Sequence, residues 1–348
     1  MIAVGLMSGT SADGVSVAAI RVQRRVKLLA YRTFPYPKAL RERVLAARTL
    51  RTPELSELHG DLGRFFGACA RKFIGKGRPD VIGSHGQTVW HEPGRHTLQL
   101  GEASHVAEAT GVTTVCDFRP RDIAAGGQGA PLVPFFDRVV FGIRNAATLN
   151  LGGIANVTVL SRTPLGFDTG PGNCLIDEAM QLAFGRPYDA GGRVAESGTI
   201  DRALLARLDH PYFRRPPPKS TGRELFSRAF LLDRCGKELK RRPADVVATL
   251  TCLTAKTVAD AIARVVKKPL QEVIVSGGGV FNKSLMSQLE WTLWPAVPRP
   301  ITVYGIPPLA KEPAAFALLA AEAVRGRAGN LPSVTGAKRP VVLGKILP

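Results

Sequence analysis

Long apolar runs are missing from this 348-residue chain: nowhere do 18 apolar residues follow one another, which speaks against a membrane-spanning helix. The opening MIAVGLMSGT has neither the basic lead nor the extended apolar stretch of a secretory signal, so the cytosol is the expected compartment. Cysteine is sparse. Cys69, Cys116, Cys174, Cys235 and Cys252 are scattered, odd in number and free of C-x-x-C pairs, which argues against a disulfide framework or a structural zinc site and fits a reducing compartment. Several catalytic signatures are missing too. No G-x-x-x-x-G-K-[ST] loop, no G-x-G-x-x-G in a strand–helix–strand unit, no H-E-x-x-H helix and no G-x-S-x-G elbow occurs. P-loop, dinucleotide-binding, zinc-peptidase and acyl-transfer chemistries are therefore poorly supported.

Acidic residues are in short supply: 47 Lys and Arg against 28 Asp and Glu leave a net charge of +19. Residues 21–51 hold ten basic residues against Glu42, and residues 202–242 hold twelve against Asp209, Glu224, Asp233 and Glu238. Such runs suit nucleic acid, or an enzyme that gathers anionic substrates through a positive field. The aromatics nearby are few: Tyr31, Phe34 and Tyr36, then Phe226 and Phe230 at helical spacing, where packing explains them better than base stacking. A solvated basic surface with some substrate steering is the preferred reading, with no nucleic-acid and no membrane partner.

At about 150 residues per domain the length suggests roughly two domains. IAVGLM meets a turn, SGTSADG, and β-patterned residues return at 15–22 and 26–34. Leu55, Leu58, Leu62, Phe65, Phe66, Cys69 and Phe73 repeat at three and four residues, predicting a helix over 55–73. A strand at 79–91, a helix near 102–110 and a strand at 112–118 follow. The same grammar restarts at 146–162 and continues through a strand ending at LGFDTGPGN, helices over 174–184 and 243–266, and a strand at 270–282. A last helix spans about 313–325. Two α/β domains built on one plan, with a cleft between them, are expected.

Four glycine-rich turns each follow a predicted strand: SGTSADG (8–14), LGGIAN (151–156), DTGPGN (168–173) and SGGGVFN (276–282). Glycine lets backbone N–H groups approach phosphate oxygens, and Ser8, Thr10, Ser11 and Thr169 could add hydroxyl donors. Any one turn is ordinary; four at strand ends in two repeated halves point to a nucleotide site. Asp168 stands between an apolar strand and a Gly-Pro-Gly turn that opens a helix, where it is either a fixed functional carboxylate or a helix cap. Asp13 occupies a similar place, and serves equally as a turn former or as a holder of metal-bound water. Residues 117–134 show no periodicity and are read as a loop. There Arg119 and Arg121 suit a carboxylate or phosphate, or else pair with Asp117 and Asp122. His85 and Gln87, in HGQ, suit hydrogen bonding better than metal ligation.

With those residues in view, the chain resembles the anhydro-N-acetylmuramic acid kinase family almost end to end. The resemblance is carried by GLMSGTSADG (5–14), GSHGQT (83–88), DFRPRDIAAGGQGAPLVP (117–134), LNLGGIANV (149–157), GFDTGPGN (166–173), PKSTGRELF (218–226), SGGGVFN (276–282) and YGIPP (304–308). It implies an α/β fold of two duplicated actin-like, sugar-kinase (ribonuclease H-like) domains with an interdomain cleft: residues 1–123 with about 326–348, and residues 124–325. It also implies ATP and Mg²⁺ as cofactors, an anhydro amino sugar as substrate and a homodimer. The expected activity opens 1,6-anhydro-N-acetylmuramic acid with water and phosphorylates O6, giving N-acetylmuramic acid 6-phosphate and ADP in peptidoglycan recycling.

By the same resemblance Asp168 is the catalytic base. Gly9, Thr10, Ser11, Ala12, Asp13, Gly14, Val15 and Ser16 bind ATP phosphates, Gly277, Gly278 and Gly279 lie near the adenosine, and Gly152 and Gly153 complete the nucleotide set. His85, Gln87, Arg119, Arg121 and Glu312 fall on the sugar side, and no motif fixes a metal in protein ligands. Ala12, Ser16 and Pro313 depart from the residues usual in the family. A kinase of an ordinary free-hydroxyl sugar and a nucleotide-switched binding protein of the same superfold are the alternatives.

Overall fold

A computed structural model of the chain describes residues 1–9 and 12–348. It separates into two units, Met1–Gly142 with Leu309–Pro348, and Ile143–Pro308.

In the first unit, β1 (Ile2–Ser8), β2 (Gly14–Val22) and β3 (Val26–Pro35) form an antiparallel meander, with Ala3 opposite Ile20 and Ser16 opposite Thr33. β4 (Val81–Glu92) runs parallel to β1, placing Gly83 beside Gly5, and carries β5 (His96–Leu100) as a hairpin. β6 (Thr114–Cys116) is parallel to β4, and the strand Lys345–Leu347 closes the sheet edge against β6. The predicted amphipathic helix is Thr52–Ile74, which buries Leu58, Leu62, Phe66 and Cys69.

The second unit repeats this order. β7 (Ala146–Leu151), β8 (Ile154–Val159) and β9 (Leu165–Pro171) are again an antiparallel meander, with Asn156 opposite Asp168. β10 (Glu272–Ser276) is parallel to β7, and β11 (Val297–Pro300) is parallel to β10. Leaving aside the β5 hairpin and the closing edge strand, both sheets read third, second, first, fourth, fifth strand. This common order is the ribonuclease H-like arrangement, present twice. Helix Pro243–Val265 is long and apolar enough to cross a membrane, despite the charges that break its hydropathy. Its apolar residues, among them Val246, Val247, Leu250, Val258 and Ile262, are instead core of this unit.

The units divide at 142/143 and 308/309, whereas the sequence reading put the divisions at 123/124 and about 325/326. The difference is made by two helices. Lys311–Val324 lies on β1 and β4 so closely that a Cβ on Gly5 would stand 2.0 Å from the Pro313 carbonyl oxygen, and one on Gly83 2.3 Å from that of Phe316. The glycines of the sheet meet the helix backbone at Pro313, Phe316 and Ala317 and the fully buried Ala320 methyl, so two backbones touch with little side chain between them. Val133–Phe141 packs on that helix and adds a buried ion pair, Lys311–Asp137, at 3.0 Å. Pro313, a departure from the family, lies in the first helical turn, where proline is tolerated.

Candidate active site

Asp168 sits on β9, at the edge of the second sheet, half-buried. Its hydrogen bonds outside the strand pairing come from the segment 212–221. Its N–H donates to the Lys219 carbonyl at 3.1 Å, and its own carbonyl accepts from the Tyr212 hydroxyl at 2.9 Å. Oδ2 accepts from the Ser220 hydroxyl and from the Thr221 N–H, each at 2.9 Å. Oδ1 accepts nothing among the described residues, and no cation forms an ion pair with the carboxylate. One oxygen is thus clamped and the other left with its lone pairs. Burial pushes the acid up to about 6, against the pull of Thr221, Ser220 and the Lys219 charge. Such a carboxylate is ionised near neutrality and basic enough to accept a proton.

The glycine turns of this unit are built against one another. The Asn173 side chain and N–H all donate into the 151–153 turn, to the carbonyls of Leu151 (2.9 Å) and Gly152 (3.1 and 2.8 Å). A Cβ on Gly277 would stand 2.7 Å from both Asn150 Oδ1 and the Leu151 carbonyl oxygen, so only glycine lets these turns converge. Gly278 has nothing within 4 Å of where a Cβ would be, which leaves its backbone open for a ligand. Thr169 adds no donor here, since its hydroxyl is buried and donates to the Ala155 carbonyl.

In the first unit the segment Gly9–Ser16 spans the turn after β1 and the start of β2; Thr10 and Ser11 lie outside the described residues. Ala12 takes a left-handed conformation (φ 53°) and is buried, while Asp13 is exposed and pairs with Arg41 at 3.4 Å. Val15 is core, and the Ser16 hydroxyl shares hydrogen bonds with Thr33 (3.0 Å) and Tyr31 (3.4 Å) on the neighbouring strand. Gln87 is buried and its amide is spent on the turn: Oε1 accepts from Ser8 (2.6 Å) and Tyr36 (3.4 Å), and Nε2 donates to the carbonyls of Gly9 (3.2 Å) and Thr88 (3.3 Å). Ser8 and Gln87 therefore shape the turn and present no free group to a ligand.

Residues 117–134, expected as a loop, contain the helix Phe118–Ala124. Two residues apart on a helix point in different directions, so the two arginines do not act as one fork. Arg119 turns inward, its Nε donating to His85 Nε2 at 3.0 Å and Nη1 to the Gly129 carbonyl at 3.1 Å. His85 can accept because its proton is on Nδ1, facing the Gly86 carbonyl at 3.1 Å; burial, and then the Arg119 charge, hold it neutral. Nη2 of Arg119 and the whole exposed guanidinium of Arg121 have no partner among the described residues. Neither pairs with Asp117 or Asp122. Asp117 meets Lys345 at 2.8 Å, and Asp122 is buried, accepting from Gly129, Asn330 and Thr335. Glu312, at the start of the Ala-rich helix, is half-buried; burial raises its carboxyl against the charges of Lys311 and Arg119.

The residues that hold Asp168, namely Tyr212, Lys219, Ser220 and Thr221, were not among the sequence candidates, although PKSTGRELF had been noted as a motif. Arg223 in that motif was also missed. Its exposed guanidinium lies over Gly153, 3.2 Å from where a Cβ would be, and has no partner among the described residues. The described residues include no cluster of three His, Cys, Asp or Glu side chains fit to hold a metal. Phe34, Tyr36 and Phe226 are buried, so none of them offers a face for stacking.

A family model described as anhydro-N-acetylmuramic acid kinase matches residues 1–348. The anhydro-N-acetylmuramic acid kinase of Xanthomonas oryzae pv. oryzae is 46% identical, with 99% of this chain and 96% of that one covered. The protein of the same name from Gloeobacter violaceus is 45% identical, with 100% and 98% covered. Among solved structures, the activator of the 2-hydroxyisocaproyl-CoA dehydratase from Clostridium difficile with bound ADPNP has a TM-score of 0.47 and 11% identity, over 93% of this chain and 96% of that one.

Proposed function

The chain belongs to the anhydro-N-acetylmuramic acid kinase family, and from that premise we propose how its residues share the work. The reaction converts 1,6-anhydro-N-acetylmuramic acid, ATP and water to N-acetylmuramic acid 6-phosphate and ADP, a step of peptidoglycan recycling. The substrate has no free 6-hydroxyl, because O6 is bonded to C1. Oδ1 of Asp168 takes a proton from a water as that water attacks C1; the C1–O6 bond breaks, and O6 attacks the γ-phosphorus as the bond to ADP opens. The supporting observation is the carboxylate itself, with Oδ2 fixed by Ser220 and Thr221 and Oδ1 left free.

Arg119, with Nε on His85 and Nη1 on Gly129, offers Nη2 to the lactyl carboxylate, and Arg121 is the second donor. His85 acts as a positioning residue for Arg119, and Glu312 lies on the same, sugar side. Gly9–Ser16 and the turns at Gly152–Gly153 and Gly277–Gly279 are assigned to ATP, with Gln87 bracing the first. Mg²⁺, for which no cluster of protein ligands is described, would be held mainly by the nucleotide phosphates, whose charge it neutralises. Arg223, over Gly153, is assigned to those phosphates. A cytoplasmic homodimer completes the proposal; ATP supply and five unpaired cysteines suit that compartment.

The deciding assay is ADP release from Mg-ATP with the anhydro sugar, the free sugar, nucleic acid or nothing added. ADP is expected with the anhydro sugar alone, and release with the free sugar in its place overturns the proposal. Arg119→Ala and Arg121→Ala should raise the sugar KM, by about 10- to 100-fold for Arg119, and leave the ATP KM unchanged. A sugar KM unaltered in both variants rejects this contact. Arg223→Gln should do the reverse, raising the ATP KM alone; an unaltered ATP KM removes Arg223 from the nucleotide set.

The pH dependence follows from Asp168. A base works only when ionised, and this carboxyl is raised to about 6. Activity is therefore present above pH 6 and lost as pH falls through it, with kcat approaching a loss of about tenfold per unit on the acid side. A kcat that stays level down to pH 5 contradicts the assignment.

A further inference from the structure

We propose that the second unit carries an oxyanion pocket, separate from the catalytic carboxylate, that takes a phosphate dianion or the phosphoryl group of a phosphomonoester. Successive side chains of a strand point to opposite faces of the sheet. Phe167 therefore faces away from Asp168 and packs in the core with Val258, Ala261 and Ile262 of helix Pro243–Val265. On that side lies a cavity of about 140 Å³, the size class that holds one benzene-sized molecule. Phe167 and Ala261 floor it, and four cations line it: Arg214, Arg215, Lys219 and Arg264.

Only one of the four forms an ion pair among the described residues. Arg214 pairs with Asp209 at 2.5 Å. Lys219 Nζ donates to the carbonyls of Tyr212 (3.2 Å) and Phe213 (3.1 Å) and stands over the Tyr212 ring, 4.8 Å from its centroid, and Arg264 donates to the Phe213 carbonyl at 3.4 Å. Arg215 stands over the Tyr212 ring, 5.9 Å from its centroid. Burial, then the charges of Arg264 and Arg215 against the pull of Asp168, hold the Lys219 ammonium below its usual range. Three cations with no ion pair among the described residues repel one another around one small cavity, and a doubly charged oxyanion relieves that repulsion. Guanidinium forks match phosphate oxygens in geometry as well as in charge.

The pocket also touches the catalytic residue through the chain. Residues 214–217 and Lys219 line it, the next two supply both donors to Asp168 Oδ2, and the Lys219 carbonyl accepts the Asp168 N–H. An occupied pocket therefore steadies the segment that orients the base. This consequence rests on the role proposed for Asp168; the binding itself does not.

The test is calorimetric titration of sodium phosphate into the full chain saturated with Mg-AMPPNP, with chloride holding the ionic strength constant. One saturable site is expected in the wild type and equally in Asp168→Asn, whose pocket is intact whatever its activity. The Arg215→Gln/Arg264→Gln variant should bind at least about tenfold more weakly, and Arg264→Gln alone, the milder change, should fall between. No saturable binding, or unchanged affinity in these variants, overturns the proposal. N-acetylmuramic acid 6-phosphate as a second titrant identifies the source. Binding that is weakened by the same substitutions assigns the pocket to the sugar phosphate as well, and binding of phosphate alone assigns it to the free ion.

Discussion

Asp168→Asn should lose on the order of 10²–10⁴-fold in kcat and retain the ATP affinity of the parent enzyme. The amide is nearly isosteric with the carboxylate, and its oxygen can still accept from Ser220 and Thr221, so β9 and the 212–221 segment keep their arrangement. What disappears is the capacity of Oδ1 to take a proton from water. Glu224 is the other carboxylate whose charge reaches Asp168, but the hydrogen bonds from Ser220 and Thr221 orient Asp168 alone. Single-turnover ADP formation gives the chemical step, and equilibrium titration of a non-hydrolysable nucleotide gives the affinity. A variant with kcat within about tenfold of the parent would falsify the base assignment.

Gly5→Ala should destabilise the first unit by about 3 kcal/mol, at the upper end for overpacking. The added methyl would stand 2.0 Å from the Pro313 carbonyl oxygen and 2.5 Å from the Ala317 nitrogen. Both are backbone atoms of a buried helix, which cannot swing aside as a side chain would. The strand or the helix must shift, and with it the neighbouring approach at Gly83. Gly236→Ala is the matched comparison: it lies inside helix Arg228–Arg241 with nothing within 4 Å of a Cβ. That change should gain about 0.5–1 kcal/mol, because glycine is the poorer helix former. Hydrogen exchange reads the units separately, avoiding a single unfolding constant for a chain of two units. Equal protection of β1 and β4 amides in Gly5→Ala and the parent protein would mean the contact is not as tight as described.

Much of the fold is legible along the chain because its signals are local. Apolar spacing marks Thr52–Ile74, Cys174–Phe184 and Lys311–Val324 to within a few residues, and glycine-bearing turns mark the strand ends. The repeat of strand pattern after residue 146 announces the duplication that the common strand order displays. Residues 117–134 escaped because the helix Phe118–Ala124 has only seven residues, too few to establish a period, and contains Pro120. That miss matters for chemistry, since helical geometry separates Arg119 from Arg121.

The ordered motifs were sufficient by themselves for family and reaction, because the types and sequence of residues carry that information without coordinates. Tertiary structure alone decided which polar groups remain free to act. Gln87, His85, Ser8 and Thr169 look like ligand contacts in one dimension, yet each is spent on a backbone or side-chain partner. Asp168 owes its orientation to donors 52 and 53 residues further along, and its raised pKa to burial. The Ala-rich helix joins the first sheet because glycines at positions 5 and 83 leave room for its backbone. Periodicity and turn chemistry act over a few residues, whereas hydrogen-bond satisfaction, desolvation and close packing depend on chain segments that meet only once the protein has folded.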